Sequence, residues 1–437
     1  MAQVTIIGAG LSGLACARAI GNEAEIYEAS SHVGGHAFSH KQDGFAFDEG
    51  AHICHSKDPW FLEQISASDQ SLNEIQSCSV RSYWQGAWHR YPVQNHLHEL
   101  PMEARAQALN DFILAQQKNH ELPQAKNYHE WCMLQYGEFL TKNFYEVYTK
   151  KYWRVPMQDL GTDWLAGRLL PSQVRNVVNG ALGLSVVDQA AFAQFRYPKE
   201  GGFSALFDRS YAKLESKNHL NSRMSKIDLK TKKVFFENGN SCHYEKLVST
   251  IALPNLIRML SDSAPSDVLE AASVLRHTKL LCVNMTFSEL PKINSDHWFY
   301  VYDEEIPPAR FSLVHNLQGG GAGAAQAGIQ AEIFALPHEE WDKEALAEKT
   351  LLSLNKMLQF DAKRMMRTIK TVEIPYSYIH SDHHRAQATE LICAWLERQS
   401  IYPLGLLGRW KYIWSDEAFR QGHKLGQKLR EDLDAKR

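Results

Sequence analysis

The chain has 437 residues, of which 44% are hydrophobic and 11% aromatic. Because single hydrophobic cores stop growing near ~250–300 residues, we expect a globular protein with more than one domain. The formal net charge is -3, and no run of five or more Lys or Arg residues occurs. A chain of this kind has no basic field for a polyanion, so nucleic acid is excluded as an expected partner.

The cysteines and the N-terminus bear on the cellular compartment. The seven cysteines never form a C-x-x-C pair; they are Cys16, Cys54, Cys78, Cys132, Cys242, Cys282 and Cys393. This scatter argues against a disulfide framework and a zinc knuckle and favours a reducing compartment. The first residues, MAQVTIIGAG, lack the basic leader of a signal peptide, and no apolar run approaches the ~20 residues of a membrane span. We predict a cytoplasmic protein with no membrane insertion.

A dinucleotide-binding pattern opens the chain. A short apolar strand (QVTII, 3–7) leads into Gly-Ala-Gly-Leu-Ser-Gly, a helical stretch follows, and a second strand ends on Glu28. The three glycines of such a loop allow a tight turn, the approach of a pyrophosphate and close helix–strand packing, while an acidic residue at the next strand end accepts ribose hydroxyls. The predicted cofactor contacts here are Gly8, Gly10, Leu11, Ser12, Gly13, Glu28 and Ala29.

A second glycine pair, Gly34-Gly35, follows in EASSHVGGHAFSH. A domain that binds only NAD has no need of this pair, whereas a second contact to the pyrophosphate of FAD would require it. An ordinary turn between a strand and a loop is the alternative. We therefore expect FAD rather than NAD, with Gly34, Gly35 and His36 among its contacts.

The stretch FDEGAHICHSKDPW (47–60) places His52 and His55 three residues apart. A neutral imidazole can exchange a hydrogen bond with a cofactor ring and bias its redox state. A metal site is a second hypothesis, but the spacing of the nearby His32, His36 and His40 matches no standard zinc pattern. Histidines satisfied by local hydrogen bonds are a third. We predict the first role and no metal.

The rest of the chain alternates between two kinds of pattern. Strand-like alternation occurs over 80–93, 221–253 and 280–335, whereas 98–185 has long helical stretches, and helices are expected over 343–360, 384–399 and from about 416. We predict an α/β fold in which a Rossmann-like FAD-binding domain with a doubly wound sheet is joined by a second, mixed or antiparallel, substrate-binding sheet and a helical insertion. The boundaries are 1–75, 200–260 and 385–437 for the first, 76–97 and 261–384 for the second, and 98–199 for the helical domain.

Four further segments carry a family resemblance. GAHICHS resembles the G-P-H-I-F-H-T loop of the UDP-galactopyranose mutases, FYEVYTKKYW resembles their Y-T-x-K-Q-W signature, IPPARFSL resembles the strand that carries a substrate arginine, and IPYSYI resembles I-P-Y-Y-P-I. Over nearly its whole length the chain is similar to the flavoprotein superfamily that contains these mutases, protoporphyrinogen oxidase and monoamine oxidase.

The resemblance implies non-covalent FAD and an enzyme acting on a nucleotide-linked sugar in surface-polysaccharide biosynthesis. The favoured reaction is pyranose–furanose interconversion through N5 of the reduced flavin. It implies catalytic roles for His55, His52, Arg310, Arg168, Arg175, Tyr376 and Tyr412, and substrate contacts from Tyr148, Trp153, Arg310 and Tyr378. It adds Gly50, Ala51, His52, Met224, Gly408, Tyr412, Ser415 and Asp416 to the cofactor contacts, with Ser415 as the cap of the last helix.

The chain departs from the mutase pattern at two positions. Leu406 stands where G-R-L-G has arginine, and Trp414 stands where an aspartate is expected. A flavin oxidoreductase of the amine oxidase or protoporphyrinogen oxidase type, with aromatic walls and hydride transfer, is therefore the alternative; a flavin-binding protein without turnover is a third class. NAD(P)H as an external reductant is compatible with these hypotheses, and the sequence leaves open whether the chain forms a homodimer.

Overall fold

The computed structural model describes residues 3–66, 72–75, 78–165, 168–169, 171–186, 194–212, 214, 217–291, 295–319 and 326–435. The strands are Val4–Ile7 (β1), Ala24–Tyr27 (β2), Ser39–Gln42 (β3), Phe45–Asp48 (β4), Leu72–Ile75 (β5), Val80–Trp84 (β6), Ala87–Arg90 (β7), Phe195–Pro198 (β8), Lys217–His219 (β9), Met224–Asp228 (β10), Lys233–Phe236 (β11), Ser241–His243 (β12), Lys246–Ser249 (β13), Lys279–Phe287 (β14), Trp298–Val301 (β15), Arg310–Leu313 (β16), Ala327–Ala335 (β17), Met366–Ile374 (β18) and Ile401–Pro403 (β19).

The helices are Leu11–Ile20 (α1), Pro59–Ser66 (α2), Met102–Gln117 (α3), Tyr128–Tyr136 (α4), Glu138–Leu140 (α5), Val147–Tyr152 (α6), Val174–Ala181 (α7), Asp208–Ala212 (α8), Leu253–Met259 (α9), Ser266–Ser273 (α10), Val314–Leu317 (α11), Lys343–Leu358 (α12), Ala362–Met365 (α13), Arg385–Arg398 (α14), Gly405–Gly408 (α15) and Ser415–Asp434 (α16). Within the described ranges, none of them is both long and apolar enough to cross a membrane.

A five-stranded parallel sheet, in the order β19-β13-β1-β2-β9, carries the first glycine loop. All four residues of β1 are buried, as expected for a central parallel strand covered on both faces. The strand-like stretch 221–253 ends in this sheet, because β13 pairs in parallel with β1. The first loop therefore lies at the carboxyl edge of the sheet, where α/β proteins bind their ligands.

Helices α1 and α16 pack against each other at unusually short range. A Cβ atom added at Gly422 would lie 2.1 Å from the carbonyl oxygen of Ser12, and one at Gly426 would lie 2.4 Å from that of Cys16. Only glycine permits this backbone approach. The contact fixes the beginning of α16 next to the glycine loop that opens α1.

The second sheet has seven strands in the order β18-β14-β17-β16-β15-β6-β7. It is mixed, because β6 pairs in parallel with β15 while the other neighbours are antiparallel. Every residue of β17 is buried, which fits its central position. Together the two sheets confirm the predicted fold class. One expectation was wrong: within the stretch 280–335, for which strands were expected, Val314–Leu317 forms the helix α11.

The helical region differs from its prediction at Gly137. The sequence HEWCMLQYGEFLTKNFYEVYTKKYW predicts one helix, but α4 ends at Gly137, which has φ 81°. A Cβ atom added at Gly137 would lie 2.5 Å from the backbone of Asp111, so only glycine fits there. The chain resumes as α5, passes through the π-helical turn Thr141–Glu146 and continues as α6. Single π-helical turns of this kind are frequent at functional sites.

Replacing Gly426 with Ala should separate α16 from α1. The overpacked methyl group should outweigh the better helix propensity of alanine, so we expect the free energy of unfolding to fall by about 1–3 kcal/mol. Denaturant titration of the holoprotein measures the effect. The exposed neighbour substitution Gln427→Ala is the control; equal stability of the two variants would contradict the packing argument.

Candidate functional site

One cavity of about 820 Å³ joins the carboxyl edge of the parallel sheet to the mixed sheet and the helical region. The loop after β1 and the segment 49–55 line it on one side. Side chains from α6, from β15 and β16, and from the segments 374–378 and 412–415 line it on the other. The cavity therefore has a backbone-rich part and an aromatic part.

Bare backbone forms the first part. Gly8 has φ 98°, and a Cβ atom there would lie 2.1 Å from Thr250 Oγ1. Gly34 (φ 113°) forms an isolated parallel bridge with Gly10, and a Cβ atom at Gly35 would lie 3.0 Å from the Cα of Gly10. The second glycine pair thus lies directly against the first loop. The two loops form one cradle, which favours FAD over an isolated structural turn at the second pair.

Glu28 is held at the end of β2. One carboxylate oxygen accepts a hydrogen bond from the backbone N–H of Ala9 (2.7 Å) and the other from that of Ser30 (2.8 Å). The carboxylate lines the cavity next to the glycine loop. Its remaining lone pairs can accept hydroxyl groups of a ribose, as predicted for this position.

Glu49 was not singled out by the sequence, yet it contacts two histidines of the glycine-pair segment. Its oxygens lie 2.9 Å from His36 Nδ1 and 3.4 Å from His40 Nε2. Burial, the largest influence, raises the pKa of Glu49, but the bonds and charges of His36 and His40 together outweigh it and bring the pKa to about 2. Among the described residues, no cluster of three or more His, Cys, Asp or Glu is arranged to hold a metal ion.

The segment after Glu49 turns sharply into the cavity. Gly50 has φ 87°, and a Cβ atom added there would lie 3.2 Å from the side chain of Leu280, so any other residue would be strained. His52 Nδ1 lies 3.0 Å from the carbonyl oxygen of Gly50. His55 packs edge-on against Trp414, with ring centroids 4.3 Å apart, and its buried Nδ1 has no hydrogen-bond partner in the structure. Burial lowers the pKa of His55, so the ring is neutral near pH 7.

A buried ion pair connects this segment to the mixed sheet. Arg310 on β16 lies directly opposite Glu332 on β17 and donates to both of its oxygens, at 3.0 and 2.7 Å. The same carboxylate accepts the backbone N–H of Ala51 at 2.8 Å. Burial alone would lower the pKa of Arg310, but Glu332 and nearby tyrosines raise it above its ordinary value. Glu332 is the main residue that sequence reasoning missed; a lone acid within the apolar run IQAEIFAL was the available signal.

Arg168 reaches the cavity from the helical region. Its Nη2 donates to the carbonyl oxygen of Tyr412 at 3.0 Å. Its guanidinium carbon lies 4.5 Å from the ring centre of Tyr412 and 5.0 Å from that of Trp414. Cation–π contacts and one hydrogen bond therefore hold Arg168 against the segment that precedes α16.

Aromatic rings form the wall opposite the glycine loops. Tyr148 stacks on Tyr152 with ring centroids 5.1 Å apart, and the ring centroids of Tyr152 and Tyr378 are 4.2 Å apart. Tyr300 meets Tyr148 edge-on at 5.3 Å. Tyr152 and Tyr300 were not among the predicted residues, although both stand beside predicted ones in sequence or in space.

Most of the predicted site residues come together in this cavity. The lining includes His52, His55, Arg168, Arg310, Tyr376, Tyr412, Gly8, Gly10, Leu11, Ser12, Glu28, Gly34, Gly35, His36, Gly50, Ala51, Ser415, Tyr148, Trp153 and Tyr378. Trp414, rather than Ser415, is the N-cap of α16. The expectation of a Ser415 cap was therefore wrong, because the helix begins with that residue.

Six predicted residues lie outside the lining: Gly13, Ala29, Arg175, Met224, Gly408 and Asp416. Arg175 is exposed on α7, and Met224 is 4% exposed within a hydrophobic core. Gly13 and Gly408 have packing positions, because a Cβ atom added there would lie 2.1 and 2.6 Å, respectively, from a backbone oxygen. Asp416 accepts a hydrogen bond from Ser56 at 2.5 Å, which ties the start of α16 to the residue that follows the 49–55 segment.

Comparison with known proteins agrees with this geometry. Residues 11–382 match the family described as flavin containing amine oxidoreductase. The fold is similar to that of a reduced UDP-galactopyranose mutase (22% identity, 98% of this chain and 94% of that one, TM-score 0.88). It is also similar to that of a protein from Exiguobacterium sp. 255-15 described provisionally as a protoporphyrinogen oxidase (16% identity, 99% of each chain, TM-score 0.73). A further similar fold is that of cyclohexylamine oxidase from Brevibacterium oxydans IH-35A (13% identity, 99% of each chain, TM-score 0.69).

Replacing Glu332 with Gln should leave the Arg310 charge buried without its partner. Removing one member of a buried ion pair typically costs about 3–5 kcal/mol, so we expect a large fall in the free energy of unfolding. Denaturant titration of the holoprotein measures it. Glu397→Gln, which breaks the exposed pair of Glu397 with Arg409, is the control. Similar effects of the two substitutions would contradict the structural role of Glu332.

Replacing Glu49 with Gln should change the acid sensitivity of the protein. The folded-state pKa of Glu49, about 2, lies below its ordinary value of 4.5. The stability it contributes is therefore present above about pH 5 and is lost as the pH falls toward 2, and by linkage it amounts to about 3 kcal/mol. Unfolding titrations across this range should give a stability gap between wild type and variant that narrows with falling pH. A gap independent of pH, or one matched by the exposed Glu431→Gln, would argue against it.

Proposed function

Because the chain belongs to the flavin containing amine oxidoreductase family, we propose that this FAD-dependent enzyme acts on a nucleotide-linked sugar and interconverts its pyranose and furanose forms. The observation that carries the proposal is the convergence of Arg310 and Arg168 on one aromatic-walled cavity that also contains the glycine cradle. The fold similarity to a UDP-galactopyranose mutase supports the same substrate class.

The two arginines suit a diphosphate. Guanidinium groups bind phosphate oxygens through paired donors, and both arginines lie where water is largely excluded. Their side chains are 12% and 17% exposed for Arg310 and Arg168 respectively. Glu332 fixes the Arg310 fork, and Tyr412 and Trp414 support Arg168. Each cation thus has a defined position before a substrate arrives, which reduces the entropy lost on binding.

The glycine cradle, Glu28 and the 50–55 segment are the residues that would hold FAD. Bound FAD would supply an electron-rich centre at N5 in its reduced state. The protein contributes position and electrostatics: Gly50 permits close backbone approach, and His55 offers a neutral ring at the cavity surface. The partial positive charge at the beginning of α16 can stabilise negative charge nearby.

A second candidate is hydride transfer from an amine or a related substrate, and Trp414 favours it. This ring stands where the mutase pattern has an acid, and it contacts both His55 and Arg168. An apolar wall suits an uncharged substrate better than a sugar with many hydroxyl groups. The fold similarity to cyclohexylamine oxidase is compatible with this candidate.

The remaining parts of the proposal concern the cellular setting. We propose non-covalent FAD reduced by an external donor such as NAD(P)H, and a cytoplasmic role in surface-polysaccharide biosynthesis. The widely separated free cysteines support a reducing compartment. A homodimer stays a prediction that sedimentation analysis would test.

Anaerobic incubation of the reduced holoprotein with a panel of nucleotide sugars tests the reaction. Separation of the products should reveal an isomer with the other ring size. Oxygen consumption with amines or porphyrinogens, and no isomer, would instead favour the oxidoreductase.

Replacing Arg310 with Lys should reduce kcat/KM for the nucleotide sugar by about 10- to 100-fold, since lysine retains the charge beside Glu332 but loses the planar fork. Steady-state kinetics measure the change. Arg175→Lys is the matched control, because Arg175 is exposed and outside the lining. Loss of activity in the Arg175 variant alone would overturn the assignment of Arg310.

A further inference from the structure

Lys151 faces three backbone carbonyl groups across the boundary between α6 and the mixed sheet. Its Nζ lies 3.0 Å from the oxygen of Val301, 3.1 Å from that of Asp303 and 2.8 Å from that of Ile306. The preceding residue, Lys150, is exposed, and its Nζ lies 3.4 Å from a carboxylate oxygen of Glu146, one helical turn away. Two adjacent lysines on one helix therefore have different surroundings.

The three carbonyls match the bonding capacity of an ammonium group. A lysine ammonium has three N–H donors and no acceptor, so each donor meets one oxygen. The oxygen of Val301 is at the end of β15, and those of Asp303 and Ile306 belong to the turn that connects β15 to β16. Because a buried carbonyl without a partner is costly, the side chain of Lys151 acts as a built-in cation for these oxygens. Burial lowers the pKa of Lys151 to about 7 against the opposing charges of Asp303, Glu305 and Glu304, so the group is a cation below that pH.

The two elements that Lys151 connects both carry cavity walls. Helix α6 supplies Tyr148 and Tyr152, while β15 and the residue after it supply Tyr300 and Tyr302. Tyr148 contacts both of the latter rings, at 5.3 and 5.8 Å. The ammonium group thus holds α6 against the end of β15, on the side of these elements that faces away from the cavity rings.

We propose that Lys151 is a positioning residue that holds α6 against the end of β15, and that it thereby sets how their tyrosine rings pack in the aromatic wall and how tightly the cavity binds the nucleotide part of the substrate. This inference rests on the proposed function for the identity of the ligand. The wall packing itself does not depend on that identity. The two can therefore be tested by separate measurements on the same protein.

The first measurement is titration of the oxidised holoprotein with UDP, followed by the flavin absorbance spectrum. Lys151→Met should bind UDP at least about tenfold more weakly, because three charge-assisted hydrogen bonds are lost behind the wall. Lys150→Met is the matched control and should bind as wild type does. Equal affinity of Lys151→Met and wild type would overturn the inference. No UDP binding by wild type would count against the proposed function instead.

The second measurement does not need a ligand. The near-ultraviolet circular dichroism of the holoprotein reports the packing of the tyrosine rings. It should change in Lys151→Ala and return toward wild type with ammonium chloride, but not with tetramethylammonium chloride at the same ionic strength. An unchanged spectrum, or equal recovery with both salts, would contradict the built-in cation.

Lys151→Arg replaces Lys151→Met and Lys151→Ala in both measurements if those two variants do not fold. The guanidinium group keeps the charge but cannot direct three donors from one nitrogen. We therefore expect an intermediate loss of UDP affinity and an altered dichroism spectrum. Wild-type values in both measurements would overturn the proposal.

Discussion

The carboxylate of Glu332 holds the site together. It is 1% exposed and receives three hydrogen bonds, two from Arg310 and one from the backbone of Ala51. A buried carboxylate without such partners would be strongly unfavourable, so the strand pair β16–β17 and the segment after Gly50 must meet at this point. Arg310 and the segment after Gly50 thus share one anchor, and neither can move without disturbing the other.

Close backbone packing provides the second constraint. Gly10 and Gly35 approach each other within the cradle, and Gly422 and Gly426 bring α16 against α1. These contacts have no side chains that could adjust, so the cradle and the beginning of α16 are fixed relative to each other. Rigid backbone elements suit a site that must hold a cofactor and a substrate in register. Any atomic movement during a reaction would then occur in the ligands, while the protein contributes hydrogen-bond donors and aromatic rings at fixed positions.

Local patterns predicted the fold and the glycine loop that lines the cavity beside Glu28, because the glycine spacing, β1 and Glu28 lie within one short stretch of sequence. The mixed sheet followed from alternation, but the helix break at Gly137 did not, since it depends on the distant backbone of Asp111. Glu332 escaped prediction for the same reason: its partners, Arg310 and Ala51, are 22 and 281 residues away. Arg175 was a candidate by neighbourhood in sequence, yet α7 exposes it to solvent. Residues whose role depends on long-range pairing are those that one sequence conceals.

The balance between the two candidate reactions depends on how charge is distributed in the cavity. Arg310 is already paired with Glu332, so the net positive charge available to a diphosphate comes mainly from Arg168. Glu417 lies 3.7 Å from Arg168 but is 49% exposed, and an exposed pair of this kind competes weakly with a ligand. A diphosphate can therefore displace that contact and gain two oriented guanidinium groups. An uncharged amine substrate would leave Arg168 with only its exposed ionic contact to Glu417, and burying a cation that lacks a close partner is costly. The charge arrangement consequently favours an anionic substrate, even though Trp414 makes part of the wall apolar.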